Sequence, residues 1–185
     1  MKTSLTFILV ICALLAGILG SAMGRKLNLG SCTVTVHTHE LRHHFQQIRH
    51  NMVAQDNHKG VRLLKVEMMK SLQATDSCCF LKQLLRFYIE KVFSGYTSSQ
   101  SLHQRTTSVL ANSFLSMTKD LKVCHAQMLC QCSQEANLKF DAIRETYDKL
   151  EVAAASVKAI GELDYLLVWL ESFHNKDHHH NEDSK

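Results

Sequence analysis

The chain of 185 residues contains no proline, and it lacks the usual short motifs of catalysis and nucleotide binding. Without proline the strongest helix breaker is missing, which disfavours a loop-rich module. There is no glycine-rich phosphate loop, no G-x-S-x-G elbow and no Asn-x-Ser/Thr acceptor for N-glycosylation. Basic residues are scattered and not interleaved with aromatic residues, so we expect no nucleic-acid partner.

The N-terminus has the form of an export signal. Lys2 supplies a positive charge, residues 5–19 are almost unbroken apolar sequence, and Ala22 and Gly24 stand at the −3 and −1 positions of a cleavage site. This apolar run is shorter than the ~20 residues that span a bilayer, and no later run is long enough. We therefore predict a signal peptide at residues 1–24, an extracellular protein and no membrane insertion.

The remaining chain is long enough for one domain with a sizeable core. We assign residues 25–175 to that domain. Residues 176–185 are rich in His and Asp and carry no apolar repeat, which predicts a disordered tail. The formal net charge of the whole chain is +4. Such mild basicity does not require nucleic acid, although it permits weak attraction to acidic cell-surface polysaccharide.

Apolar residues recur with the period of an α-helix. Leu41, Phe45, Ile48 and Met52 follow one another at i, i+4, i+7 and i+11, after a possible N-cap at Thr38. Further stripes occupy residues 81–92, 102–124, 136–150 and 157–170. We interpret residues 57–75 as a long connection that holds a short helix. Since each helix has one broad apolar side, the pattern predicts an all-α globular bundle with no sheet.

The cysteines predict a disulfide framework. Of the seven, Cys12 belongs to the leader, and the six that remain are Cys32, Cys78, Cys79, Cys124, Cys130 and Cys132. An even number in an exported chain indicates disulfides, for which 15 connectivities are possible. Three of the six lie in the N-terminal half, and the neighbours Cys78 and Cys79 are poor partners for each other. Bridges between the two halves are therefore the economical arrangement.

One short motif suggests an alternative function, a small secreted zinc peptidase. His39, Glu40 and His43 match H-E-x-x-H, in which two histidines one turn apart bind zinc and the glutamate acts as general base. Helical geometry, however, places the two histidines opposite the apolar stripe of their helix. Gln46 and Arg49 stand where the extended motif requires Gly and His. We therefore predict no catalysis, no metal site and no cofactor.

Two other clusters contain possible metal ligands. Cys124 and His125 precede Cys130-x-Cys132, but this spacing is unlike structural zinc sites, and export favours oxidised cysteine. The histidines at 178–180 belong to the predicted tail, where we expect a solvated segment.

Several segments together resemble the interleukin-10 class of helical cytokines over nearly the whole mature length. These are residues 27–32, 78–93, 110–115, 119–126 and 157–169, together with all six cysteines. The paired cysteines fit the subfamily of interleukins 19, 20 and 24. The resemblance implies a monomeric, compact bundle of six or seven helices with bridges Cys32–Cys124, Cys78–Cys130 and Cys79–Cys132.

The same resemblance implies a function. Members of this class are expected to bring together two class II cytokine receptor chains, here of the interleukin-20 receptor type. Receptor clustering would then activate Janus kinases and STAT factors in epithelial and immune responses. The helix with His39 and His43 and the His-rich tail are not part of the family pattern, which leaves the choice of receptor open.

By family analogy, one receptor-binding face would combine the first helix, the following connection and the last helix. We expect exposed side chains there, and the candidates are Arg42, Gln46, Arg49, Lys59, Val61, Arg62, Leu63, Lys158 and Glu162. Val61 and Leu63 stand out, because apolar residues in a polar connection either enter the core or anchor a partner.

Overall fold

A computed structural model describes residues 24–127 and 130–173. Two strands come first, followed by seven α-helices and one π-helical segment within these residues. In chain order they are β1 (Arg25–Leu29), β2 (Cys32–Val36), α1 (Thr38–Gln55), α2 (Val66–Lys70), α3 (Ala74–Phe87), the π segment (Tyr88–Phe93), α4 (Ser101–Ala126), α5 (Gln134–Asp148), α6 (Val152–Gly161) and α7 (Leu163–Ser172). The predicted helical bundle is confirmed. The predicted signal peptide and tail lie outside the described residues, apart from Gly24.

The two strands form a β-hairpin. The prediction of a bundle with no sheet is therefore wrong for β1 and β2. β1 and β2 pair antiparallel with Leu29 opposite Cys32, which leaves a two-residue turn. Gly30 has φ +68°, a value that glycine adopts without strain, and a Cβ there would lie 2.9 Å from the carbonyl oxygen of Ala74. Alternate residues of β2 are buried, Val34 among them. This period of two differs from the helical period that dominates the rest of the chain.

The first half of the bundle follows the predicted stripes closely. Leu41, Phe45, Ile48 and Met52 of α1 are buried. The helix begins at Thr38 with His37 at the N-cap, so the proposed cap at Thr38 is wrong by one residue. The predicted short helix in the following connection is α2.

The π segment prolongs α3, and helical backbone continues to Gly95. A Cβ at Gly95 would lie 2.8 Å from Ser156 Oγ, so glycine lets this helix end approach α6 closely. The buried Tyr88 hydroxyl donates a 2.8 Å hydrogen bond to the carbonyl of Ala159 in α6. These contacts fix α6 against the middle of the bundle.

The N-terminal part of α4 differs from the predicted stripe. Leu102 is exposed, whereas His103 beside it is buried. The two ring nitrogens of His103 lie 3.0 Å from the Asn51 side chain of α1 and 3.0 Å from the Tyr96 hydroxyl. Because both polar ring atoms have partners, the histidine can be buried where the apolar pattern predicts leucine.

The last predicted helix is divided in two. Glu162 ends α6 and precedes α7, and its side chain is buried.

The start of α5 is fixed by Ser133, whose hydroxyl accepts a hydrogen bond from the Ala136 amide. Asp76 of α3 in turn accepts hydrogen bonds from the Ser133 amide and hydroxyl, both at 2.8 Å.

Three disulfides join the N-terminal half of the chain to the C-terminal half. Cys32 is bonded to Cys124, Cys78 to Cys130 and Cys79 to Cys132, with Cα–Cα distances of 5.8, 5.3 and 5.3 Å. These are the pairs that the family resemblance implies. The bridged residues are 92, 52 and 53 positions apart, and closing such long loops restricts the unfolded chain strongly.

An aromatic cluster lies at the centre of the bundle, where Phe114 of α4 packs edge-on against Tyr88 and Phe93. Truncation of Phe114, which is fully buried, should leave a cavity. We expect Phe114→Ala to lower the free energy of unfolding by about 3–5 kcal/mol. The neighbouring Leu115 is 44% exposed, and Leu115→Ala should change it by less than about 0.5 kcal/mol. Chemical denaturation of the oxidised protein checks both values, and equal losses would contradict this packing.

Candidate functional site

The first helix, the connection after it and the last two helices share one side of the molecule. α1 packs against both α6 and α7, and the connection lies against α7 through α2. Of the candidate residues on α1, Gln46 and Arg49 are exposed and Arg42 is partly exposed. In the connection Lys59 and Arg62 are exposed, and Val61 is partly buried. Six of the nine candidates therefore lie wholly or partly at the surface.

Ion pairs join the outer side chains of α1 to α7. The Arg42 guanidinium donates to both carboxylate oxygens of Glu171, at 3.0 and 2.9 Å, and Arg42 Nη1 lies 3.5 Å from Asp164 Oδ1. Arg49 donates to the other oxygen of Asp164. A bidentate arginine–carboxylate contact has a defined geometry, so it orients the two helices as well as attracting them to each other.

Arg62 attaches the connection to the same helix. Its guanidinium donates to the Tyr165 hydroxyl and lies 5.0 Å from the centre of the tyrosine ring. This is the geometry of a cation–π contact. A surface groove of about 360 Å³ opens beside it, with Arg49, Lys59, Arg62 and Tyr165 among its lining residues. Lys158 and the carboxylates of Asp56, Glu162 and Asp164 also line the groove, so its walls carry four cationic side chains, three acidic ones and one aromatic ring.

Three of the nine candidates are buried, so the prediction that they are exposed is wrong. Leu63, Lys158 and Glu162 have 3, 4 and 5% of their surface exposed. Leu63 packs in the hydrophobic core, which is the first of the two alternatives for an apolar residue in this connection. The two charged residues are buried because they neutralise each other and nearby polar groups.

The buried charges form a cluster that attaches the connection to α6 and α7. Lys158 Nζ lies 2.9 Å from Asp56 Oδ2 and 3.1 Å from Glu162 Oε1. Glu162 Oε2 accepts hydrogen bonds from the amides of Leu63, at 2.9 Å, and Leu64, at 2.8 Å. We call Asp56, Lys158 and Glu162 the buried charge cluster. It satisfies two backbone amides that the connection leaves without a helical or strand partner.

The charge of Asp56 is stabilised where the connection begins. Burial by itself raises the pKa of this carboxyl group, but the hydrogen bond from Lys158 and that from the His58 amide lower it by more. The net effect is a pKa below the ordinary value of an aspartate. Asp56 therefore stays ionised and keeps its pairing with the Lys158 ammonium at neutral pH.

The histidine pair of the H-E-x-x-H motif points away from the core, as predicted. His39, Glu40 and His43 are all exposed on α1. Within residues 24–127 and 130–173, no three His, Cys, Asp or Glu side chains converge as metal ligands. Cys124, Cys130 and Cys132 are bonded in disulfides.

Sequence reasoning missed the acidic and aromatic partners on this side of the molecule. Asp164, Tyr165 and Glu171 contact the arginines of the surface, and Asp56 pairs with the buried Lys158, but none of the four was a candidate. One signal was present, because Lys158 and Glu162 are four residues apart and so lie on one helical face. The approach of Asp56 across about a hundred positions of sequence has no such local signal.

Comparison with known proteins identifies the family. The family described as Interleukin 10 matches residues 7–175. The chain therefore belongs to the interleukin-10 family, whose members are cytokines and not enzymes. The zinc-peptidase alternative is thereby wrong.

Three relatives place the chain in the subfamily of interleukins 19, 20 and 24. It is 42% identical to interleukin-20 of Mus musculus over 80% of this chain and 84% of that protein. Its structure is similar to that of human interleukin-19, with a TM-score of 0.67, 35% identity, and coverage of 74% of this chain and 88% of the other. It is also similar to an edited form of human interleukin 24, with a TM-score of 0.70, 33% identity, and coverage of 80% and 97%.

None of the helices in the described part of the chain combines the length and the apolar character that a membrane crossing requires.

We predict that the buried charge cluster makes Lys158 essential to stability only while its acidic partners are present. Lys158→Met should lower the free energy of unfolding by about 3–5 kcal/mol, because the buried carboxylate of Glu162 and the partly buried one of Asp56 lose their cation. In a protein that already carries Asp56→Asn and Glu162→Gln, Lys158→Met should lower the free energy of unfolding by much less. Urea denaturation of the unchanged protein and of the single, double and triple variants measures the two losses. An equal loss in both backgrounds would show that the lysine contributes through packing alone.

Proposed function

We propose that this cytokine is secreted and acts by bringing together two class II cytokine receptor chains of the interleukin-20 receptor type. The approach of the receptor chains would activate Janus kinases and STAT factors inside the cell. The observation that carries the proposal is the charged surface of α1, the connection and α7, which the buried charge cluster holds in a single arrangement. Family membership and the similarity to interleukins 19, 20 and 24 support this class of partner.

The mechanism requires a rigid ligand rather than a reactive one. A protein that joins two receptors must hold two binding faces in a fixed relation, since flexibility would increase the entropy lost on binding. Three disulfides between the halves and a continuous core limit such flexibility. Cationic side chains at the rim of the groove would steer an acidic receptor surface toward it.

The surface residues have distinct roles in this proposal. Arg49 and Arg62 are the leading contacts, because arginine is frequent among residues that dominate binding energy and both lie at the groove. Arg42, Gln46, Lys59 and Val61 would surround them. Leu63, Lys158 and Glu162 are buried, and we propose that they position the contact residues.

Secretion is supported by the predicted signal peptide at residues 1–24 and by the disulfides, which persist in oxidising compartments. We further propose that the mature protein is a monomer. Each molecule would then present one copy of each receptor face, and the stoichiometry of the complex would be one ligand to two receptor chains.

Titration of the purified protein against pairs of receptor ectodomains tests the proposal. With the right pair, analytical ultracentrifugation should show a ternary complex of one ligand and one copy of each receptor chain. Either receptor chain alone should give at most a binary complex. Failure to form a ternary complex with any pair of class II ectodomains would overturn the proposal.

We predict that the double change Arg49→Ala and Arg62→Ala weakens binding to the receptor ectodomain by at least about tenfold, which corresponds to about 1.4 kcal/mol. The matched control is His39→Ala with His43→Ala, which also changes two exposed residues and should leave affinity within about twofold. Surface plasmon resonance measures both, and thermal melting verifies the fold. Equal effects of the two double changes would contradict the placement of the face.

A further inference from the structure

Two lysines and an arginine belong to α3 and α4, which pack against each other and do not line the groove. Lys82 and Arg86 are one turn apart on α3, and Lys122 projects from α4, which packs against α3. Arg86 and Lys122 are exposed, and Lys82 is partly buried. We call these three residues the basic cluster.

The positive charges of this cluster are poorly compensated. Arg86 pairs with Glu90 at 2.8 Å, through side chains that are both largely exposed. In the part of the chain that the structure describes, no carboxylate forms an ion pair with Lys82 or Lys122. Burial lowers the pKa of Lys82, and the charges of Arg86 and Lys122 lower it further. Among the described residues the cluster therefore has three positive charges and one carboxylate, Glu90, in an ion pair with them.

We propose that the basic cluster binds a sulfated polysaccharide chain of the extracellular matrix or cell surface. When a polyanion binds several positive charges, small counterions are released, and this release makes the free energy of binding more favourable. The effect increases with the number of charges neutralised. The ligand would carry several sulfate groups, because the three cations are distributed over two helices. Lys119, one turn before Lys122 on α4, would extend the contact along the chain.

The surroundings of the cluster favour a polysaccharide over other polyanions. Single-stranded nucleic acid is bound through stacking on exposed aromatic rings, whereas Phe87, beside Arg86, is buried. Stable attachment to an anionic membrane combines basic residues with an apolar face that enters the bilayer, but α3 turns its large apolar side chains inward. An extracellular sulfated polymer remains, and in this respect the inference rests on the proposed secretion.

Such binding would retain the cytokine near the cell surface without occupying the receptor groove. The groove is built from α1, the connection, α6 and α7, whereas the basic cluster belongs to α3 and α4. A bound polysaccharide chain would therefore act on local concentration, as a second and independent attachment of the ligand.

Heparin affinity chromatography of the full mature protein tests the proposal. Lys82→Gln with Lys122→Gln should lower the salt concentration of elution and weaken heparin binding about tenfold at 0.1 M salt. The slope of log affinity against log salt should fall by about 2, since each lost contact removes close to one released counterion. Lys65→Gln with Lys70→Gln removes the same net charge from α2 and should have a much smaller effect.

A change in the opposite direction strengthens the test. Glu90→Gln removes the carboxylate that pairs with Arg86, so it should raise the salt concentration of elution. Binding to heparin should also raise the pKa of the Lys82 ammonium, which side-chain NMR can measure. Equal losses from the two double lysine changes, or no gain from Glu90→Gln, would overturn the proposal.

Two further probes separate the possible sources of negative charge. Inorganic sulfate at the same sulfate concentration, and vesicles that contain phosphatidylserine, should bind far more weakly than heparin. Equal binding to either would overturn the assignment to a polysaccharide. None of these assays contains a receptor, and the receptor titration contains no polysaccharide, so the failure of one proposal is distinguishable from the failure of the other.

Discussion

The side chain of Glu162 is the constraint on which the arrangement of the candidate receptor face depends. It stands where the chain passes from α6 to α7, it lies 3.1 Å from the Lys158 ammonium, and one of its oxygens accepts the amides of Leu63 and Leu64. A buried carboxylate is costly unless it is paired and hydrogen-bonded. Here it is both, so any movement of the connection away from the helices would remove two hydrogen-bond donors from a buried carboxylate. As a result, the surface contacts that Arg62 and Arg42 make with α7 are held in place.

The disulfides join segments other than those that the buried charge cluster holds together. Cys32 attaches the β-hairpin to the end of α4, while Cys78 and Cys79 attach the start of α3 to the residues before α5. The aromatic cluster around Phe114 and Tyr88 joins α4 to the π segment. Covalent links, a packed centre and a buried ionic cluster thus limit different motions. This division suits a ligand whose function requires a fixed outer shape.

The helices were predictable because their apolar period is strong, and the cysteine pairs because the family resemblance was specific. The hairpin was missed because Cys32, Val34 and Val36 form only a short alternation among long helical repeats. Lys158 and Glu162 were misplaced because charged residues are usually exposed, and their burial depends on Asp56, which is distant in sequence. The burial of His103 in place of Leu102 was missed for a similar reason, since the hydrogen-bonding partners of His103 come from other elements. What the sequence could not show were polar contacts between distant segments.

Hydrogen exchange at the amides of Leu63 and Leu64 measures whether Glu162 holds the connection against the helices. These amides lie in a connection outside regular secondary structure, and they have the Glu162 carboxylate as acceptor. We expect slow exchange at both positions, comparable to that of the core helices, and fast exchange after Glu162→Ala in a protein that stays folded. Fast exchange of both amides in the unchanged protein would contradict this role of Glu162.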